Sequence, residues 1–112
     1  LLEGRIDEAE QNFRRSYSMH YELLDGWGLA LDLDGLCGVT VARAQLVQTA
    51  RLLGAVDAWR RRIGIAMPAF AAPLRAQYES QARSALGAVT YDAHYAEGRA
   101  LSPDAAITAV LT

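Results

Sequence analysis

Between Trp27 and Val41 the chain reads WGLALDLDGLCGVTV, with no proline and only Asp32 and Asp34 charged. The period of this stretch constrains the rest of the fold. At about 100° per residue, Leu29, Leu33, Leu36 and Thr40 share one narrow stripe, Ala30, Cys37 and Val41 flank it, and Leu31 lies on the far side. The spacing predicts a helix over 28–41 that is apolar on more than one face, so neighbours must cover it from several sides. Gly35 and Gly38 would each cost such a helix about 1 kcal/mol against Ala, unless a second helix comes close enough to need them.

Taken as a strand, the same residues would be an enzyme's nucleophile loop. Asp32-x-Asp34-Gly35 matches the pattern of haloacid-dehalogenase-type phosphatases, in which one Asp attacks phosphorus and the next serves as acid and base from the same side of a strand end. In a helix the two carboxylates stand about 200° apart and share no site. Such an enzyme also requires a Lys for the phosphoryl group and a further acidic pair for Mg²⁺. All 11 basic residues here are Arg, and no adjacent acidic pair follows the motif. An EF-hand fails too, because the loop glycine comes two positions early and the bidentate acid is missing. His20 and His94 are far apart in sequence, and Cys37 is the only cysteine, so neither an internal disulfide nor a cysteine-based zinc site can form. The expectation is a non-catalytic chain with no cofactor or metal, and an Asp-x-Asp phosphatase is the remote alternative.

The remaining segments repeat the helical period. Ile6, Ala9, Phe13, Tyr17, His20 or Tyr21, and Leu24 mark a first complete helix, with Gly4 supplying a left-handed turn before it and Asp7 and Glu8 at its positive end. Glu10 and Arg14 are i,i+4 partners on its wet side. After a weak turn at 42–45, Leu46, Leu52, Leu53, Val56, Trp59 and Ile63 form one face of a third helix. Residues 64–73, with two prolines, read as a connection. Phe70, Leu74, Tyr78, Ala82 and Ala85 mark a fourth helix closed by Gly87, with Glu79 and Arg83 paired outside it. Val89, Tyr91 and Tyr95 mark a short fifth helix ending at Gly98. Ser102-Pro103-Asp104 starts a sixth, with Ser as cap and Pro in the first turn. Trp27 and Trp59 read as core aromatics, and Arg60, Arg61 and Arg62 as a solvated turn that complements a helix C-terminus.

A length of 112 residues suits one domain: helix pairs over 1–63, the connection over 64–73, and further helices over 74–112 packing on the same array. A net charge of −2 offers no basic surface for neutralising phosphates, so direct nucleic-acid contact is not expected. No apolar window reaches membrane-spanning length, and no signal-peptide pattern is present. A soluble chain in a reducing cytoplasm is the expectation. The opening Leu1-Leu2-Glu3-Gly4 reads as the tail of a helix, which suggests a piece of a larger protein.

The most informative motif is Gly4-Arg-Ile-Asp-Glu-Ala9-Glu-Gln-Asn-Phe13, which resembles the second helix of a tetratricopeptide repeat. Gly4 stands in the turn, Ala9 where helices touch, and Phe13 fills the gap beside it. Ala50 is the next equivalent small residue, at a spacing longer than the usual period of roughly 34, so the repeats are degenerate. Together GRIDEAEQNF, WGLALDLDGLCGV, TARLLGAVDAWRRRIG and YDAHYAEGRALSPDAAITAVL look like the C-terminal helical-repeat region of large bacterial ATP-dependent transcriptional regulators, often of LuxR type, and cyclases. The most specific parts are residues 50–55 and 95–102. The resemblance implies an all-α fold of about six helices in stacked antiparallel hairpins, with Gly4, Ala9, Phe13, Ala50, Leu53 and Trp59 as repeat-packing residues. It also implies a sensing, scaffolding or oligomerisation role beside an ATPase and a helix-turn-helix. No phosphate-binding Gly-Lys-Ser/Thr motif and no recognition helix lies in these 112 residues. The expected function is a protein-interaction and regulatory module that binds a neighbouring domain, another subunit or a second copy of itself, and a small-molecule effector is the alternative occupant. A homodimer through the stripe of Ile6, Phe13 and Tyr17 is expected, and Phe13→Ala is expected to cost about 3 to 5 kcal/mol.

Overall fold

The computed structural model describes the backbone of residues 2–111 and the side chains of residues 3–109. Among these residues the fold is all-α: α1 (Leu2–Glu22), α2 (Gly26–Ala42), α3 (Leu46–Ile63), α4 (Ala72–Leu86), α5 (Ala88–Arg99) and α6 (Pro103–Leu111), with no strand.

The first three helices end in the same way. Leu24, Ala44 and Gly64 each take a left-handed φ, of 56°, 57° and 74°. In each turn the following N–H reaches back to a carbonyl five residues earlier: Asp25 to His20 at 2.8 Å, Gln45 to Thr40 at 2.9 Å and Ile65 to Arg60 at 3.0 Å. This satisfies carbonyls that a helix end leaves open. Only Gly64 has the residue type that makes such a turn visible in sequence. The stops fall at 24, 44 and 64, a step of twenty residues per helix and forty per helix pair. The counterpart of Ala9 one pair later is therefore Thr49 rather than Ala50.

α2 is the sandwiched helix that its period predicts. Leu33, Leu36 and Cys37 are fully buried, and α2 packs on α1, α3 and α4. Burial also raises the Cys37 thiol well above its ordinary pKa. Thr40 and Thr49 share a buried hydroxyl hydrogen bond of 2.8 Å that joins α2 to α3; one hydroxyl donates to the other, which is left to donate to a backbone carbonyl of its own helix turn, Cys37 for Thr40 or Gln45 for Thr49. Asp25 caps α2 by accepting from the Gly28 N–H at 2.9 Å, and the Ser102 hydroxyl caps α6 by accepting from the Ala105 N–H at 3.1 Å.

α3 is the hub. Ala50, Leu52, Leu53, Ala55 and Val56 are fully buried, and α3 packs on α2, α4, α5 and α6. Its tightest neighbour is α5. A methyl at Gly54 would collide with the Tyr95 carbonyl, and a methyl at Gly98 with the Arg51 carbonyl, so only glycines allow the two backbones to meet. α6 returns to the start of the chain, where the Tyr17 hydroxyl donates to Asp104 at 2.5 Å. The radius of gyration of 13.0 Å is that of a closed domain of this length.

Several expectations need correction. Gly4 makes no turn: it lies inside α1, and a Cβ there would meet nothing within 4 Å. One glycine costs a helix only about 1 kcal/mol, too little to end one that continues on both sides. Asp7 and Glu8 consequently lie beyond the first turn, where Glu3 stands instead. Trp27 is 47% exposed rather than core, whereas Trp59 is half-buried, its indole N–H donating to the Gly26 carbonyl at 2.9 Å. Phe70 precedes α4 and Leu74 lies in its first turn, and both are exposed although periodicity placed them on the apolar stripe of the fourth helix. Arg60 is no solvated turn residue. It is 4% exposed and points inward to Asp34.

Candidate functional site

α2 forms the floor of a groove walled by α1 on one side and by α4 with its preceding loop on the other, a cavity of about 530 Å³. Ile6, Ala9 and Phe13 come from α1, Leu31 and Val39 from α2, and Phe70, Leu74 and Tyr78 from the far wall. Leu31 is the residue that the helical period sets apart from the core stripe, and the groove explains why an apolar side chain stands there.

The two α2 glycines shape the groove. A methyl at Gly35 would collide with the Phe13 ring, and one at Gly38 would stand 2.7 Å from the Tyr78 hydroxyl. Both positions thus admit an aromatic ring from a wall helix, which is the close approach that would justify glycine in a helix. Phe13 is seated against Gly35 rather than simply beside Ala9, and it is only half-buried because its ring lines the open cavity.

Three charged residues line the groove: Arg5, Asp34 and Arg75. Asp34 accepts two hydrogen bonds from the Arg60 guanidinium, one of them at 3.1 Å. Burial pushes the Asp34 carboxyl up, and Arg60 pulls against it. Arg75 binds Asp57 and, at 2.5 Å, Glu79; burial opposes its charge, but the two carboxylates outweigh that and raise its pKa. Asp57 also accepts from the Tyr95 hydroxyl at 2.6 Å, and burial first, then this bond, push Tyr95 up to about 12. The result is a polar belt across α2, α3, α4 and α5 that fixes the floor and leaves its charges engaged. Arg5, at the groove mouth, is exposed and has no partner among the described residues.

Asp32 and Asp34 do not share a site. Asp32 is 4% exposed and meets His20 of α1, Nδ1 to Oδ2 at 2.6 Å, while Asp34 meets Arg60 of α3. Asp32 is buried and Asp34 half-buried, and both are interhelical ties. Ser16 stands 3.4 Å from the same His20 Nδ1 that Asp32 occupies, so the three residues lack the two-sided imidazole of a nucleophile triad. Among the described residues no group of three His, Cys, Asp or Glu side chains is arranged to hold a metal ion. No described helix is long and apolar enough to cross a membrane.

Of the residues singled out as repeat packing, Ala9 and Phe13 line the groove. Ala50 and Leu53 are fully buried in α3, Trp59 ties α3 to the start of α2, and Gly4 packs on nothing. Of the stripe expected to dimerise, Tyr17 is covered by its own chain, whereas Ile6 and Phe13 face the groove. Leu31, Phe70, Leu74 and Arg75 were not singled out by the sequence as groove residues; the apolar Leu31, opposite the core stripe of α2, was the available signal. Comparisons with family models, curated proteins and solved structures give no match.

Proposed function

We propose that the chain is a non-catalytic helical-repeat module that binds an amphipathic helix of a protein partner in the groove between α1 and α4. The observation that supports this most is the groove itself: an apolar floor and walls, with Phe70 and Leu74 left 68% and 52% exposed at the rim. Recognition of a helix in a groove uses apolar anchors at i, i+3 or i+4 and i+7, and two flanking helices supply matching walls. Arg5 at the mouth adds a charge, so an acidic residue at one end of the partner helix complements it. The resemblance of the sequence to repeat regions of bacterial ATP-dependent regulators supports a cytoplasmic role beside catalytic and DNA-binding neighbours.

A displayed library of helical peptides panned on the chain tests this reading. The expected winners are amphipathic helices with an acidic residue at one end, and they should be lost in Leu74→Glu but kept in Gln11→Glu. Winners indifferent to Leu74→Glu would overturn the reading. Concentration-dependent self-association in sedimentation, abolished by Leu74→Glu, would assign the groove to a second copy instead. The cavity volume also lies within the range of small-molecule sites, which favours an apolar effector as the second reading. Saturable binding of small apolar compounds with no helical winners would select it.

A further inference from the structure

Away from the groove, α3 and α5 border a second, open cleft of about 510 Å³ with a different chemistry. It is lined by Arg61, Arg62 and Arg99 above Ala58, Ala96 and Ala100, and no acidic side chain lines it. Six of the eleven arginines, Arg14, Arg43, Arg51, Arg60, Arg75 and Arg83, are held in ion pairs. Of the five that are not, three converge on this cleft. All three are exposed.

Their positions in the last turns of α3 and α5 suit the negative end of each helix dipole. The dipole accounts for a positive charge at each terminus. It does not require the arginines of two helices to face one carboxylate-free cleft. The close crossing at Gly54 and Gly98 holds the two termini on either side of it, and three alanines keep its floor shallow and apolar. Arg62 also lies 6.0 Å from the centroid of the Trp59 ring, which faces the start of α2 and does not line the cleft.

We propose that this cleft binds the phosphate groups of a small molecule. Each guanidinium presents paired donors that match phosphate oxygens, and three of them suit a group carrying two or more negative charges. A free pyrophosphate and an organic diphosphate share this chemistry. The net charge of the chain is −2, so binding would rest on this local convergence and not on a general basic surface.

Calorimetry at physiological ionic strength, with sodium pyrophosphate and separately a nucleoside diphosphate as probes, tests the proposal. One saturable site is expected, weakened about tenfold by Arg61→Ala and again by Arg99→Ala, and unchanged in Arg15→Ala. All three positions are exposed, and circular dichroism of each variant confirms that the fold is kept. Tighter binding of the nucleoside diphosphate identifies an organic ligand, and equal binding identifies the inorganic ion; both support the site. The proposal is overturned if Arg99→Ala binds as tightly as the unsubstituted chain, if Arg15→Ala weakens binding equally, or if neither probe binds. A glutamate-rich peptide that binds more tightly than both phosphates would overturn it as well, by making the cleft a peptide surface.

Discussion

Two pairs of glycines bring helices close in this chain, and they do so against different material. At the seam between α3 and α5, Gly54 and Gly98 face backbone carbonyls, which cannot yield without moving a whole helix. At the groove, Gly35 and Gly38 face the ring tips of Phe13 and Tyr78, which border open space and can turn away. The first arrangement closes a core and the second keeps a cavity at the surface. A glycine inside a helix therefore carries no fixed structural meaning; the mobility of its neighbour decides it.

The largest effect that would break this contrast lies at the seam. Gly54→Ala is expected to destabilise the fold by about 3 kcal/mol or more in chemical denaturation, since overpacking against backbone exceeds the usual side-chain case. Gly35→Ala should stay within about 1 kcal/mol of neutral, because the helix-propensity gain of alanine offsets the displaced ring. Equal losses at the two positions would dissolve the distinction.

Next in size is the tie between the two regions. Arg60→Ala leaves Asp34 without its partner beneath the groove and is expected to cost about 2 to 3 kcal/mol, discounted from a fully buried pair because Asp34 borders the cavity. Asp34→Asn added to Arg60→Ala should recover part of that loss in the same denaturation series. A double variant no more stable than the single one would show that packing, rather than the stranded charge, sets the cost.

Phe13→Ala should cost about 1 to 2 kcal/mol, less than its sequence position suggests, because its half-buried ring already borders a cavity. A loss above 3 kcal/mol would mean that the groove is closed in solution by its own walls.

The smallest effect is the pH dependence of the α1 attachment. The Asp32 hydrogen bond, acting against partial burial and aided by the charges of Asp32 and Asp25, raises His20 above its ordinary 6.5. A group whose folded pKa is raised stabilises the fold in full below its unfolded pKa and ceases to do so as pH rises through the folded value. Stability should therefore decline as pH rises above the ordinary histidine value of 6.5, and His20→Gln should flatten that decline. An unchanged slope in the variant would place the titration elsewhere.

These contrasts show what periodicity can and cannot convey. The stripe of Leu29, Leu33 and Leu36 made α2 legible as a helix covered on several sides, and Ser102-Pro103 made the start of α6 legible through local capping chemistry. The glycines at 35 and 38 were legible as a choice between instability and close packing, and the structure resolves it with Phe13 and Tyr78. Ties between distant segments left no such mark: Asp34 with Arg60, Asp32 with His20 and Arg75 with Asp57 depend on how helices dock after they form. Trp27 and Gly4 misled because residue type outweighed position. The turn at 42–45 was legible, but the left-handed conformation of Leu24 and Ala44 was not, because residues of these types rarely adopt it. The position of the groove was not legible, since its lining comes from three separate elements that meet only in the fold.

The burial of Cys37 gives the molecule a built-in clock. It is the sole thiol of the chain, it sits in α2 between the seam and the groove, and its sulfur is sealed while the helices are docked. A thiol reagent reacts with it only during the moments when α2 separates from its neighbours, so the rate of colour development in buffer counts those openings without denaturant. An occupant of the groove that holds α1 and α4 together would slow the count, and an occupant of the arginine cleft would slow it only if α3 must also move for the sulfur to be reached.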